Sequence, residues 1–149
     1  MMQVVSRPKV TVRREIKALV EEIFDAWLDP GSLALWMRPG GIPRSTAKVD
    51  PREGGTYEIV MHHTSGPLVH TGVYRVIDRP KRLVFTWFSD ATRHTESLVT
   101  VEFHARHGTT EVVVTHEQLP DEGAVPSHTD GWTQALDLLA AELGSARTA

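Results

Sequence analysis

The sequence contains no cysteine, which excludes disulfide bonds and thiolate metal sites. It also lacks any hydrophobic run long enough to span a bilayer, and its first ten residues carry no apolar core of a secretory signal. These absences predict a cytoplasmic protein without a membrane span. With 40% hydrophobic residues, the chain is expected to form one domain over residues 1–149, with flexible termini at about 1–7 and 145–149.

Concentrated positive charge is missing as well. The net charge is −3 with neutral histidines, and basic residues such as Arg13 and Lys81 are scattered among acids. Phosphate binding requires a concentrated positive face, so we expect no nucleic-acid partner. The sequence has no phosphate-cradling glycine loop either, because the pairs that begin at Gly40 and Gly54 fit turns.

Candidate metal ligands do not converge. His62 and His63 are adjacent, so on a strand they point to opposite faces, and His104 and His107 flank a turn with few carboxylates nearby. Zinc requires three or four convergent ligands, and neither pair matches a helical histidine pair with an intervening glutamate. We therefore expect no metal and no other cofactor.

The periodicity near the end of the chain predicts one amphipathic helix from Ser127 to Gly144. Its apolar residues recur at offsets of three, four, seven and eleven, which places them on one narrow face at roughly 100° per residue. These residues are Trp132, Ala135, Leu136, Leu139 and Leu143. Such a helix requires a large apolar partner.

The start of this helix is predicted from Pro126 and the polar residues that follow it. Proline lacks a backbone donor and clashes with the preceding turn, so we expect a break at Pro126 and a helix that begins at Ser127. Ser127 and Asp130 fit a capping box. Although Ser127, His128 and Asp130 are residue types of a catalytic triad, we interpret them as capping residues, and Gly144 as the helix end.

Earlier in the chain, the pattern predicts a strand followed by two short helices. Alternation marks the strand from Val10 to Ile16, and a period of about 3.6 marks a helix within Ala18 to Leu28. Asp29 fits the cap of the next helix, Pro30 its first turn, and Pro39 its end.

From Ala47 to His116 the period is two. Turns divide this region into strands at Ala47–Val49, Thr56–His62, Leu68–Asp78, Leu83–Phe88, Ser97–His104 and Thr110–His116. The short connections favour an antiparallel meander with one apolar face. The sequence therefore predicts an α+β fold, in which a curved antiparallel sheet of about six or seven strands packs on a long C-terminal helix.

Several strings in this order resemble one known family over residues 8 to 143. They are the stretch from Val20 to Trp36 with DPGSLALW inside it, EGGTYEIVM (Glu53 to Met61), HTGVYRVIDRPKRLVFTW (His70 to Trp87), LVTVEF (Leu98 to Phe103), TEVVVTHEQLP (Thr110 to Pro120) and DGWTQALDLLAAEL (Asp130 to Leu143). The chain is similar to the bacterial branch of the START and birch-pollen-allergen (SRPBCC) superfamily, named after the heat-shock-protein ATPase activator homologue. The resemblance implies a helix-grip fold in which the sheet wraps the C-terminal helix around a cavity.

His116 and Tyr57 are the candidates for chemistry. Period two places His116 on the inward face with Val112 and Val114, where Trp132 should cover it, so its imidazole could transfer a proton while Tyr57 orients a substrate. The alternative is a core histidine that hydrogen-bonds the protein itself. The residues expected to line a ligand cavity are Trp36, Tyr57, Ile59, Met61, Phe85, Trp87, Val99, Val101, Val114, His116, Trp132 and Leu136.

Three functions remain open at this point. The first is binding or carriage of a small hydrophobic or aromatic molecule, lipid-like or polyketide-like, between sheet and helix. The second is a cyclase or dehydratase that uses His116 as general acid and base, and the third, implied only by the resemblance, is a chaperone ATPase accessory protein. An exposed Trp27 or Trp36 could serve a homodimer interface.

Overall fold

The structure is a computed structural model that describes residues 7–146, with no description of the side chains of residues 145 and 146. The strands are β1 (Val10–Ile16), β2 (Arg44–Val49), β3 (Thr56–His63), β4 (Gly66–Asp78), β5 (Arg82–Trp87), β6 (Ser97–Arg106) and β7 (Thr109–Glu117). The α-helices are α1 (Val20–Ala26), α2 (Pro30–Trp36) and α3 (Ala124–Ala146). The termini expected to be flexible, residues 1–7 and 145–149, lie largely outside the described residues.

The seven strands form one curled antiparallel sheet in the order β1-β7-β6-β5-β4-β3-β2. The meander from β2 to β7 is confirmed, and β1 adds to its far edge beside β7. Inward positions alternate along each strand, as Tyr57, Ile59 and Met61 do on β3. The predicted α+β helix-grip fold is therefore confirmed, with α3 covering the apolar face of the sheet.

The two short helices also form as predicted. Asp29 caps α2 by accepting a hydrogen bond from the Gly31 amide at 2.9 Å, and Pro30 occupies the first turn. The structure buries both Trp27 and Trp36, and the indole Nε1–H of Trp36 donates to the Ala26 carbonyl at 3.3 Å. The expectation that either tryptophan could serve a dimer interface is therefore wrong.

The predicted start and end of α3 are both wrong. The helix begins at Ala124, not Ser127, because Pro126 falls in its first turn, where the backbone N–H groups have no partner within the helix. The Ser127 hydroxyl donates to the Ala124 carbonyl at 3.2 Å and does not cap the helix. Gly144 lies within α3, which continues to Ala146. Within residues 7–146, no helix combines the length and the apolar composition needed to cross a membrane.

Gly72 allows a close approach between β4 and its neighbours. It lies directly opposite Tyr57 in the register of β3 and β4. A Cβ atom at this position would lie 1.9 Å from the Thr86 carbonyl oxygen and 2.5 Å from the Tyr57 ring. Glycine therefore leaves the space in which the Tyr57 ring packs and its hydroxyl reaches β5.

Gly72→Ala is expected to lower the free energy of unfolding by about 3 kcal/mol or more, because backbone atoms of β5 must move to admit the methyl group. Gly131→Ala is the matched control, since a Cβ atom at Gly131 on α3 meets nothing within 4 Å. The control should be neutral or more stable by up to about 1 kcal/mol. Urea unfolding of both variants measures the difference, and equal midpoints would contradict the packing role of Gly72.

Candidate functional site

A cavity of about 120 Å³ lies between the N-terminal half of α3 and the inner face of the sheet. Its walls come from β3, β4, β5 and α3, the turn after α2, and the short 3₁₀ turn Asp90–Thr92. The lining residues are Met37, Pro39, Met61, His70, Trp87, Ala91, Ser127, His128, Gly131, Trp132 and Ala135. The lining is thus mainly aromatic and aliphatic, with three polar side chains.

The structure separates the expected lining residues into three sets. Met61, Trp87 and Trp132 line this cavity. Tyr57, Ile59 and Phe85 line a smaller void of about 10 Å³ deeper in the core, together with Trp27 and Met37. The remaining six are fully buried and line neither space: Trp36, Val99, Val101, Val114, His116 and Leu136.

His116 is held by hydrogen bonds on both ring nitrogens. The indole Nε1–H of Trp132 donates to Nδ1 at 3.0 Å, and Ser97 Oγ lies 2.7 Å from Nε2. An indole only donates, so Nδ1 must be the acceptor and a neutral ring must carry its proton on Nε2. Ser97 Oγ then accepts a hydrogen bond from Nε2, and its hydroxyl donates a hydrogen bond to the Trp87 carbonyl, 2.7 Å away.

The environment of His116 keeps the ring neutral. Burial, together with a smaller effect of the neighbouring His128, lowers its pKa to about 3. With no exposed surface and both nitrogens occupied, the ring has no nitrogen available to a ligand. This arrangement favours the alternative of a core histidine that hydrogen-bonds the protein over a general acid and base.

Tyr57 is likewise bound to the protein. Its hydroxyl donates to the Thr86 carbonyl, and burial raises its pKa well above the ordinary value. Thr86 in turn accepts a hydrogen bond from the Val73 amide through Oγ1 at 2.8 Å. The Tyr57 hydroxyl therefore ties β3 to β5 and does not point into the 120 Å³ cavity.

His128 lines the cavity and was not among the expected site residues. Its Nδ1–H donates to the Ala124 carbonyl at 2.7 Å, one turn earlier on α3, and Nε2 has no protein partner. The side chain is only 7% exposed. Burial lowers its pKa, although the hydrogen bond to Ala124 acts in the opposite direction. His128 therefore has a buried imine nitrogen, a hydrogen-bond acceptor without a protein partner, in a side chain that lines the cavity.

His70 is the second histidine that sequence analysis missed. Its ring packs on Trp87 with centroids 4.9 Å apart, and its Nδ1 lies 3.4 Å from the Ile59 carbonyl, to which it donates. Its pKa is lowered, chiefly by burial. The register explains its inward position, since His70 pairs with the inward-facing Ile59 on β3.

A helical signal also existed for His128, which precedes Trp132 by four residues and therefore shares its face. The capping interpretation of Ser127, His128 and Asp130 is wrong because α3 begins one turn earlier, at Ala124. Among residues 7–146, no group of three or more histidines and carboxylates could hold a metal ion.

The buried histidines predict acid sensitivity. In the unfolded chain a histidine has a pKa near 6.5, so it binds a proton below that pH. In the folded protein His116 stays unprotonated down to about pH 3. The free energy of unfolding therefore falls as the pH drops through this interval, by up to about 1.4 kcal/mol per pH unit for His116.

His116→Gln isolates this contribution, because glutamine can accept from Trp132 and donate to Ser97 but does not titrate. Between pH 6 and pH 5, the wild type should lose about 1 kcal/mol more unfolding free energy than the variant. Urea unfolding at both pH values measures this, and identical losses in the two proteins would contradict a neutral His116.

Known proteins share this architecture. The model of the family described as "Activator of Hsp90 ATPase homolog 1-like protein" matches residues 17–144. No curated protein matches the chain in sequence. Among solved structures, a Rhodobacter sphaeroides protein of 23% identity matches with a TM-score of 0.81, over 92% of this chain and 92% of that one.

Two further structures share the fold. An HSP90 activator from Plasmodium falciparum is 24% identical, with a TM-score of 0.72, and the match covers 91% of this chain and 96% of that one. DynU16, a putative protein in the dynemicin biosynthetic locus, is 18% identical with a TM-score of 0.76, over 91% of this chain and 46% of DynU16. The family match over most of the chain shows that this protein belongs to the Activator of Hsp90 ATPase homolog 1-like family, within the START-like superfamily.

Proposed function

We propose that this protein binds a small apolar or aromatic molecule in the cavity between β3, β4, β5 and the first half of α3. The observation that carries the proposal is the cavity itself, whose lining includes Trp87 and Trp132. Pockets for small molecules are typically lined in this way, with apolar and aromatic side chains and a few polar groups.

The cavity volume indicates the size of the ligand. An engineered apolar cavity of about 150 Å³ in another protein holds benzene, so the 120 Å³ here is of the order of a one-ring molecule. Typical sites for drug-sized ligands measure about 300–1,000 Å³. A lipid or a polycyclic polyketide therefore exceeds the space as it stands, and binding one would require side chains such as Met37 to move.

Filling the cavity from its wall should abolish binding. Gly131 lines the cavity, and a Cβ atom at this position would meet nothing within 4 Å, so we expect the side chain in Gly131→Leu to extend into the cavity. We expect toluene to change the tryptophan fluorescence of the wild type to saturation, through Trp87 and Trp132, and to leave Gly131→Leu unchanged.

Gly144→Leu is the matched control, because Gly144 also lies on α3 with open space around it but lines no part of this cavity. The control should bind toluene as the wild type does. If the wild type shows no response to toluene, or if Gly131→Leu binds as well as the wild type, the cavity is not the binding site.

A second candidate function is activation of a chaperone ATPase. It is supported by the description of the family and by the structural likeness to the Plasmodium falciparum activator, and it does not depend on the cavity. In that case, adding the protein to Hsp90 raises the rate of ATP hydrolysis, and Gly131→Leu raises it equally. An unchanged hydrolysis rate at saturating protein would dispose of this candidate.

A further inference from the structure

We propose that the cavity selects a neutral one-ring molecule that carries a hydroxyl or N–H donor, of the phenol class, and that Nε2 of His128 accepts its hydrogen bond. This inference rests on the proposed function, since it assigns the chemical class of ligand to the same cavity. It makes His128, and neither His116 nor Tyr57, the polar residue that determines specificity.

The acceptor is fixed by its partner on the other side of the ring. A carbonyl oxygen only accepts, so the contact with Ala124 places the imidazole proton on Nδ1 and leaves the lone pair on Nε2. Nε2 lies on the ring edge away from the helix backbone, in a side chain that lines the cavity. A second contact also limits rotation of the ring, because its edge packs against His116 with centroids 4.9 Å apart and planes at 90°.

An unpartnered buried acceptor is unusual in a folded protein. Leaving such a group without a hydrogen bond costs about 1–3 kcal/mol, and most buried polar atoms are therefore paired. The three other nitrogens of His116 and His128 all have partners within 3.0 Å. His128 Nε2 is the exception, a buried nitrogen without a protein partner in a side chain that lines the cavity.

The remaining walls favour a neutral aromatic ligand. None of the eleven lining side chains is a carboxylate, an ammonium or a guanidinium group, so a charged ligand would be buried without a counter-ion. An anion would also meet the lone pair of Nε2. Trp87 and Trp132, which pack against each other with ring centroids 5.3 Å apart at 53°, both line the cavity and supply aromatic surface for a further ring.

Phenol and toluene test the inference because they have nearly the same shape and differ by a hydroxyl against a methyl group. We expect the ratio of phenol affinity to toluene affinity to fall about tenfold in His128→Phe, which keeps an aromatic ring and removes the acceptor. His104→Phe, at an exposed position on β6, is the matched control and should keep the wild-type ratio. Calorimetric titration of the wild type and both variants with the two probes measures all six affinities.

Nitrogen NMR of histidine-labelled wild-type protein provides a measurement that needs no variant. The Nε2 resonance of His128 should have the chemical shift of an unprotonated imine nitrogen, and it should move when phenol is added but not when toluene is added. The assignment would be overturned if Nε2 of the ligand-free protein had the chemical shift of a protonated N–H nitrogen. It would also be overturned if the resonance did not move when phenol binds.

The outcomes separate this inference from the proposed function. If both probes bind but the affinity ratio is the same in wild type and His128→Phe, the inference is wrong and the cavity remains a binding site. If the ratio collapses in His70→Phe instead, the donor binds at the opposite wall and the inference is again wrong. If neither probe binds, the proposed function itself fails.

Discussion

The hydrogen bond from Trp132 to His116 is the contact on which the position of the long helix depends. Apolar packing holds α3 against the sheet but is non-directional, so by itself it would tolerate small shifts of the helix. A buried indole N–H is stabilised by a hydrogen-bond partner, and Nδ1 of His116 on β7 provides one for Trp132 at 3.0 Å. Ser97 then links the same imidazole to the Trp87 carbonyl, so the network joins α3 to β5, β6 and β7. This fixed point sets the distance between helix and sheet, and hence the space beside Trp132.

The same contact explains why His116 and His128, which pack against each other, have different roles. His116 and His128 pack edge to face in one buried environment, and burial lowers the pKa of both. His116 has a partner for each nitrogen, and the network requires a neutral ring because Nδ1 must accept from Trp132. His128, one turn before Trp132, has only the helix carbonyl as a partner. Its Nε2 therefore stays without a partner, in a side chain that lines the cavity.

The sequence predicts the fold because the two periodicities are long and consistent. Period two over the meander identifies the inward residues of β3, β5, β6 and β7, and the 3.6 period identifies the face of α3 from Trp132 onward. The predicted helix start is wrong because of Pro126. A proline breaks a helix in its interior but is tolerated in the first turn, where Pro126 lies. Because of that error, His128 is interpreted from the sequence as a capping residue and not as a residue of the cavity. Periodicity also shows that Trp36 and Trp132 both point inward, but whether a residue fills the core or lines a cavity depends on gaps of a few ångströms that no pattern records.

Met37 shows how small that difference is. It lines both the 120 Å³ cavity and the 10 Å³ void, so the two spaces lie on either side of one unbranched side chain. Methionine has three rotatable bonds and fits irregular gaps more readily than a branched or aromatic residue does. The sheet and α3 are held by hydrogen bonds that a ligand cannot displace without exposing buried polar atoms, whereas Met37 is buried by packing alone. In the proposed function, the conformation of Met37 would therefore set the size of the ligand, and His128 would set the choice between a polar and an apolar ligand.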